Sequence, residues 1–77
     1  MNNSVMLIGI ITAIANGIVT LRVNDTFNID CYIAKVSNRL AKAKEGNRIA
    51  VEGNLIPKDG TFAVCVNDIF VIDHNNQ

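Results

Sequence analysis

Cys31, Cys65 and His74 are the residues with which this chain could run covalent or metal chemistry. A zinc site needs Cys and His ligands in closely spaced pairs, and two isolated cysteines with one histidine do not supply them. Nucleophilic catalysis needs a base beside the nucleophile and a third group that orients the base. His74 sits in the polar stretch Asp73-His74-Asn75-Asn76-Gln77 with no such partner in view. Glu45 and Glu52 lack a carboxylate partner at a telling spacing, and no glycine-rich phosphate loop precedes a helix. The expectation is a protein that is not an enzyme and takes no cofactor or metal. What remains is recognition. It would rest on the flat rings of Phe27, Tyr32 and Phe62 and on the cations Arg22, Lys35, Arg48 and Lys58.

Strands must position those side chains, and the alternation shows them. The run Arg48-Ile49-Ala50-Val51-Glu52-Gly53-Asn54-Leu55 sends Ile49, Val51, Gly53 and Leu55 to one face and Arg48, Ala50, Glu52 and Asn54 to the other. It predicts a fourth strand over 48–56. A first strand is expected over 5–13, with Val5, Leu7, Gly9 and Ile11 on one face. Met6, Ile8, Ile10 and Thr12 share the other, so both faces are largely apolar. Asn16-Gly17 is a hairpin signal. A second strand follows over 18–23, with Val19, Leu21 and Val23 opposite Ile18, Thr20 and Arg22. Asn24-Asp25-Thr26 turns the chain into a third strand over 27–34. There Phe27, Ile29, Cys31 and Ile33 form the apolar face, and Asn28, Asp30 and Tyr32 lie opposite. Ser37 as N-cap and Gly46 as C-cap bracket a short helix packed by Leu40, Ala41 and Ala43, with Arg39, Lys42 and Lys44 on its wet side. Pro57-Lys58-Asp59-Gly60 is the last turn. The fifth strand is expected over 61–66, with an interruption at Asn67-Asp68, and again over 69–72.

Three strands, a helix and two more strands is the chain order of the OB-fold, a five-stranded Greek-key barrel. The expected fold class is therefore all-β with one short helix. One domain over residues 1–73 and a disordered tail over 74–77 account for the 77 residues. Such a short domain buries only roughly 60–65% of its unfolded surface and is marginal alone. With 49% apolar residues and four aromatics, it must pack a tight aliphatic core or hide surface in an oligomer. Met6, Ile8 and Ile10 are the stripe expected at that interface, in a homo-dimer or tetramer. Zero net charge argues against coating a polyanion by bulk charge, though a local basic groove is compatible with it. Val5 to Ile11 is too short to cross a bilayer, and Met1-Asn2-Asn3-Ser4 lacks the charge of a signal peptide. A cytoplasmic protein is expected, away from the membrane, with both cysteines reduced and buried.

Three segments carry a family likeness. Asn3-Ser4-Val5-Met6-Leu7-Ile8-Gly9, Val19-Thr20-Leu21-Arg22-Val23-Asn24 and Lys44-Glu45-Gly46-Asn47-Arg48-Ile49-Ala50-Val51-Glu52-Gly53-Asn54-Leu55 resemble the first strand, second strand and helix end with fourth strand of the bacterial single-stranded DNA-binding proteins. The chain is also similar to the short primosomal replication proteins. The likeness spans about residues 3 to 73. It implies binding of single-stranded DNA with little sequence preference, in replication, recombination or repair, and association through the first strand. Three departures stand out. Ile10 replaces the basic or amide residue usual after the strand-1 glycine. The long hairpins are cut to the minimal turns 24–26 and 57–60. The acidic C-terminal tip that recruits partners is missing from this sequence.

A single strand is held by aromatic platforms for its bases beside cations for its backbone. Arg22, Tyr32, Arg48, Lys58, Phe62 and Phe27 are the candidates. Phe27 occupies the family's stacking position if aligned through Lys35, but joins Ile29 and Ile33 in the core if aligned through Cys31. Alternation favours the core, which leaves Tyr32 as the outward platform. Phe62 fits either a platform or hairpin packing, and Phe70 fits the edge of the core. Asp30 opposes phosphate on the same face. Replication proteins are possible partners. A protein-interaction module of the primosome-adaptor type and a single-stranded RNA binder are the alternatives.

Overall fold

The computed structural model describes residues 3–40 and 43–72. Five strands close a barrel in the order β1-β2-β3-β5-β4. They are β1 (Ser4–Ala15), β2 (Ile18–Asn24), β3 (Phe27–Tyr32), β4 (Arg48–Lys58) and β5 (Thr61–Val71). Neighbours run antiparallel except β3 and β5, which pair in parallel from Asp30 and Ala63. This is the OB-fold expected from the chain order. Asn16 and Gly17 both take positive φ in the β1–β2 hairpin, as a tight two-residue turn requires.

The inward residues of each strand fill the barrel. Ile11, Val19, Leu21, Cys31, Ile49, Val51, Val64 and Val66 are essentially closed to solvent. Removing such a Val, Leu or Ile side chain from water stabilises by roughly 1.5–3 kcal/mol. Both cysteines are free thiols; Cys31 is buried and Cys65, expected to be buried, is half-exposed on the outer surface. Burial pushes the Cys31 thiol up to about 12, so it stays protonated and inert at neutral pH.

β1 serves two neighbours. Residues 4–10 pair with β4 and residues 10–15 with β2. The ladder to β2 carries an irregularity between Ile11 and Ala13, and the change of neighbour follows directly on Gly9. A Cβ there would lie 2.5 Å from the carbonyl oxygen of Arg22. Gly53 on β4 is tighter still, since a Cβ would overlap the carbonyl group of Cys65 on β5. At that point Glu52 pairs with Asp68 but Gly53 pairs with Val66, so Asn67 is an extra residue in β5. The expected interruption of the fifth strand is thus a bulge inside one continuous strand. It also shifts the inward parity. Val64 and Val66 face in before it and Ile69 after it, so Phe70 is turned out and is 49% exposed rather than at the edge of the core.

Three further expectations are corrected. The helix beginning at Ser37 is replaced by a 3₁₀ segment, Ala34–Leu40, that starts earlier and kinks at Val36 (φ −128°, ψ 19°). The chain turns early because Ile33, Val36 and Leu40 are all drawn into the core, and Val36 N–H bonds to the Ile33 carbonyl at 2.9 Å. Ala41, Lys42, the tail 74–77 with His74, and the side chains of Ser37 and Arg39 lie outside what the structure describes. Secondly, Pro57 and Lys58 belong to β4, and the turn is Asp59-Gly60, both at positive φ. The proline is tolerated because the β1–β4 ladder has already ended at Ser4 and Asn54. Thirdly, Phe27 keeps the parity of Ile29 and Cys31 but is 44% exposed. It stands at the first residue of β3, beside a register shift in β2, beyond the end of the packed core.

Gly60→Ala places a Cβ in open space but in the left-handed region, at a cost of about 1 kcal/mol. For a domain of this size that lowers the melting midpoint by about 4–8 °C. Gly53→Val drives a side chain into the Cys65 carbonyl and should cost far more, or prevent folding. Thermal melts by circular dichroism check this, and equal midpoints for the two variants would refute the strand-4 register.

Candidate functional site

The outer surface of β2, β3 and β5 gathers the polar side chains that the inward packing leaves over. Cross-strand register sets Thr20 of β2 beside Asp30 of β3, and Asp30 beside Ala63 of β5. One step along, Ile18, Tyr32 and Cys65 form the next row. On the other side, Arg22 stands beside Asn28. Lys58 enters from the end of β4. Because its strand position is fixed by pairing with Thr61, its long side chain reaches back across β5 onto β3.

The result is a single cluster. The Lys58 ammonium donates to Asp30 Oδ2 at 2.9 Å, and the Thr20 hydroxyl donates to Asp30 Oδ1 at 3.1 Å. The same Lys58 nitrogen lies 5.4 Å from the centre of the Tyr32 ring, within cation–π range. The hydrogen bond from Lys58 is the largest influence on Asp30 and holds its carboxyl below the usual value of 3.8; Thr20 adds to it. In return Asp30, and after it Tyr32, push Lys58 up to about 12. Both groups are therefore charged at neutral pH. Their side chains are 31% and 36% exposed, so solvent screens the pair, and it works as a positioning device more than a source of stability. Asp30 spends part of the charge that Lys58 could offer a phosphate.

The six candidate binding residues do not all meet. Arg22 and Tyr32 lie on this face and Lys58 spans it. Phe62, 56% exposed at the start of β5, stands at its edge beside Lys58 and Asp59. Phe27 is at the same end of the barrel, since β3 and β5 run in parallel. Arg48 is set apart. It starts β4 and pairs with Ile10, so β1 separates it from Arg22. Lys35 leaves the face altogether and donates to the Asn67 amide oxygen at 3.3 Å. Spacing alone gives Asp30 only a repulsive role, whereas the structure makes it the anchor of Lys58. Asn28, Asp59 and Thr61 were not singled out from the sequence. The only signal for them was the outward parity of Asn28 with Asp30 and Tyr32.

A second outer face, on β1, β4 and β5, is apolar. Met6 and Ile8 are 62% and 52% exposed, and Ile10 is half-buried. Ile8, Ala50 and Phe70 form one cross-strand row. Among the described residues no three His, Cys, Asp or Glu side chains come together as a metal site. No helix among them is long and apolar enough to cross a membrane.

No family model matches the sequence, and no curated protein matches it. Among solved structures, the barrel is similar to a chain of the Stn1–Ten1 complex of S. pombe, with a TM-score of 0.65 and 19% identity. The match covers 91% of this chain and 58% of that one, so this chain spans less than two thirds of the matched protein's length. At that identity the likeness establishes the fold, and the resemblance to bacterial single-stranded DNA-binding proteins rests on the three segments quoted above.

Proposed function

We propose that this barrel binds single-stranded DNA through the outer face of β2, β3 and β5. The observation that carries this is the Lys58 ammonium poised over the Tyr32 ring, with Arg22 on the same face and Phe62 at its edge. Aromatic rings beside cations are what a single strand needs, and neither feature favours a duplex. The protein would act without catalysis, in the cytoplasm, in replication, recombination or repair. A single-stranded RNA would meet the same rings and cations, because no group on the face is committed to a 2′-hydroxyl. The matched structure is a complex of two proteins, which supports the alternative of a protein-interaction module.

The apolar face of β1 supports self-association as a homo-dimer or a dimer of dimers. Covering Met6, Ile8 and Ile10 is worth roughly 1.5–3 kcal/mol for each side chain fully removed from water. The charges around the stripe suit a two-fold axis. Glu52 stands beside Met6 at one end, and Arg48 stands beside Ile10 at the other. Rotation about Ile8 sets Glu52 of each copy opposite Arg48 of its partner, as an isologous contact requires. Light scattering at tens of micromolar should find a dimer or tetramer, and Ile8→Asp should give monomers or insoluble chain. A monomeric wild type contradicts this part of the proposal.

Binding should be modest and weakly salt-dependent. Each neutralised phosphate contributes roughly −0.7 to the slope of log affinity against log salt, and Lys58 is already partly neutralised by Asp30. Two phosphate contacts per subunit would give a slope of about −1.4. Stacking is worth roughly 1–3 kcal/mol per base, so Tyr32→Ala should weaken binding to oligo-dT five-fold or more while leaving the fold intact. Fluorescence anisotropy titrations over a series of salt concentrations, starting at low salt, read both quantities. Absence of binding by the wild type sinks the nucleic-acid reading and leaves the interaction module.

A further inference from the structure

The β3–β5 ladder begins only at Asp30 and Ala63. Ahead of that point Asn28 and Ile29 pair with β2, and Thr61 and Phe62 pair with β4, so the two strands part. Between them lies a concavity of about 220 Å³, lipped by Lys58 and Asp59. That volume is several times the ~30 Å³ share of one water and accommodates a flat heterocycle. Resting on the single-strand proposal above, we propose that this concavity is a nucleobase subsite, and that the Asp30 carboxylate makes it favour a base carrying an exocyclic amine. In a pyrimidine strand that base is cytosine.

The lining carries the inference. Asp30 and Asp59 outweigh Lys58, so the concavity is net negative and rejects a phosphate. Phe62 offers an exposed ring against which a base can stack. Asp30 is fixed rather than free to swing, with Thr20 on one oxygen and Lys58 on the other. Each carboxylate oxygen has two acceptor positions, so one remains on each. A carboxylate accepts from the cytosine N4 amine, as Asp and Glu do when they read cytosine. Thymine would present its O4 carbonyl at that place, and two acceptors repel. The Asn28 amide adds a donor on the same wall. Lys58 keeps its place at the lip, where the phosphate next to the inserted base would pass.

The experiment uses the full chain and labelled oligo-dC and oligo-dT of equal length at pH 8 and low salt, read by anisotropy. Wild type should bind oligo-dC several-fold more tightly than oligo-dT. Asp30→Asn should bring the ratio near one, because its amide can turn a donor toward the thymine carbonyl. Because Asp30 also anchors Lys58, both affinities can fall in this variant, so the ratio of the two strands and not the oligo-dT affinity is the readout. Asp30→Glu, which keeps the carboxylate, should retain part of the preference and serves if the amide variant fails to fold. A wild type that ignores the difference or favours oligo-dT overturns the subsite, as does a ratio unmoved by Asp30→Asn. In those cases binding to both strands leaves the broader single-strand proposal standing. Failure to bind either strand removes both.

Discussion

Closing a barrel with so short a chain forces backbone against backbone, and the contact between Gly53 and the carbonyl of Cys65 is where this is sharpest. β4 must run between β1 and β5 and coil enough for the sheet to meet itself. A side chain at position 53 would hold the strands apart. The extra residue Asn67 lies opposite this point and adds the local twist that a small barrel needs. Gly9 plays the corresponding part in β1, where the strand changes neighbours. The core residues become a single cluster only because these two close approaches let the sheet shut around them.

The same closure decides what the outside can do. The bulge reverses the parity of β5, which seals Ile69 in the core and puts Phe70 beside Ala50 and Ile8 on the outer wall. That wall is apolar and flanked by Glu52 and Arg48. Next to it around the barrel, β2 and β3 present Thr20, Arg22, Asn28, Asp30 and Tyr32 on the outer surface. The two faces therefore have different chemistry for a structural reason, one suited to another protein surface and one to a polar ligand with flat rings. The two-residue turn at Asp59-Gly60 links them to the barrel end, because it keeps Lys58 within the strand and fixes where its side chain starts.

Much of this was legible in the sequence. Alternation in Val19-Leu21-Val23 and Ile49-Val51-Gly53 marked the inward positions, and Asn16-Gly17 marked its hairpin. Alternation fails where tertiary constraints intervene. Phe27 has the right parity for the core but lies past its end. Phe70 has the right parity only if Asn67 is not a bulge; the sequence marks an interruption at Asn67-Asp68 but not that it is a single extra residue that flips the parity beyond it. Val36 is not a conspicuous helix breaker, yet its burial bends the chain into 3₁₀ geometry. For the site, alternation showed that Asp30 and Tyr32 share a face. It did not show that Lys58, 28 residues away from Asp30, reaches both, since that depends on how β4, β5 and β3 lie in register.

The central claim is that a single strand crosses the face of β2 and β3, over Tyr32 and Lys58, and not the apolar wall of β1. Chemical-shift mapping of the ¹⁵N-labelled protein with oligo-dT at low salt tests it directly. The account predicts the largest shifts at Arg22, Tyr32, Lys58 and Phe62, with Met6, Ile8 and Ala50 little changed. Shifts concentrated on Met6, Ile8 and Phe70 while those of Tyr32 and Lys58 stay still would contradict it.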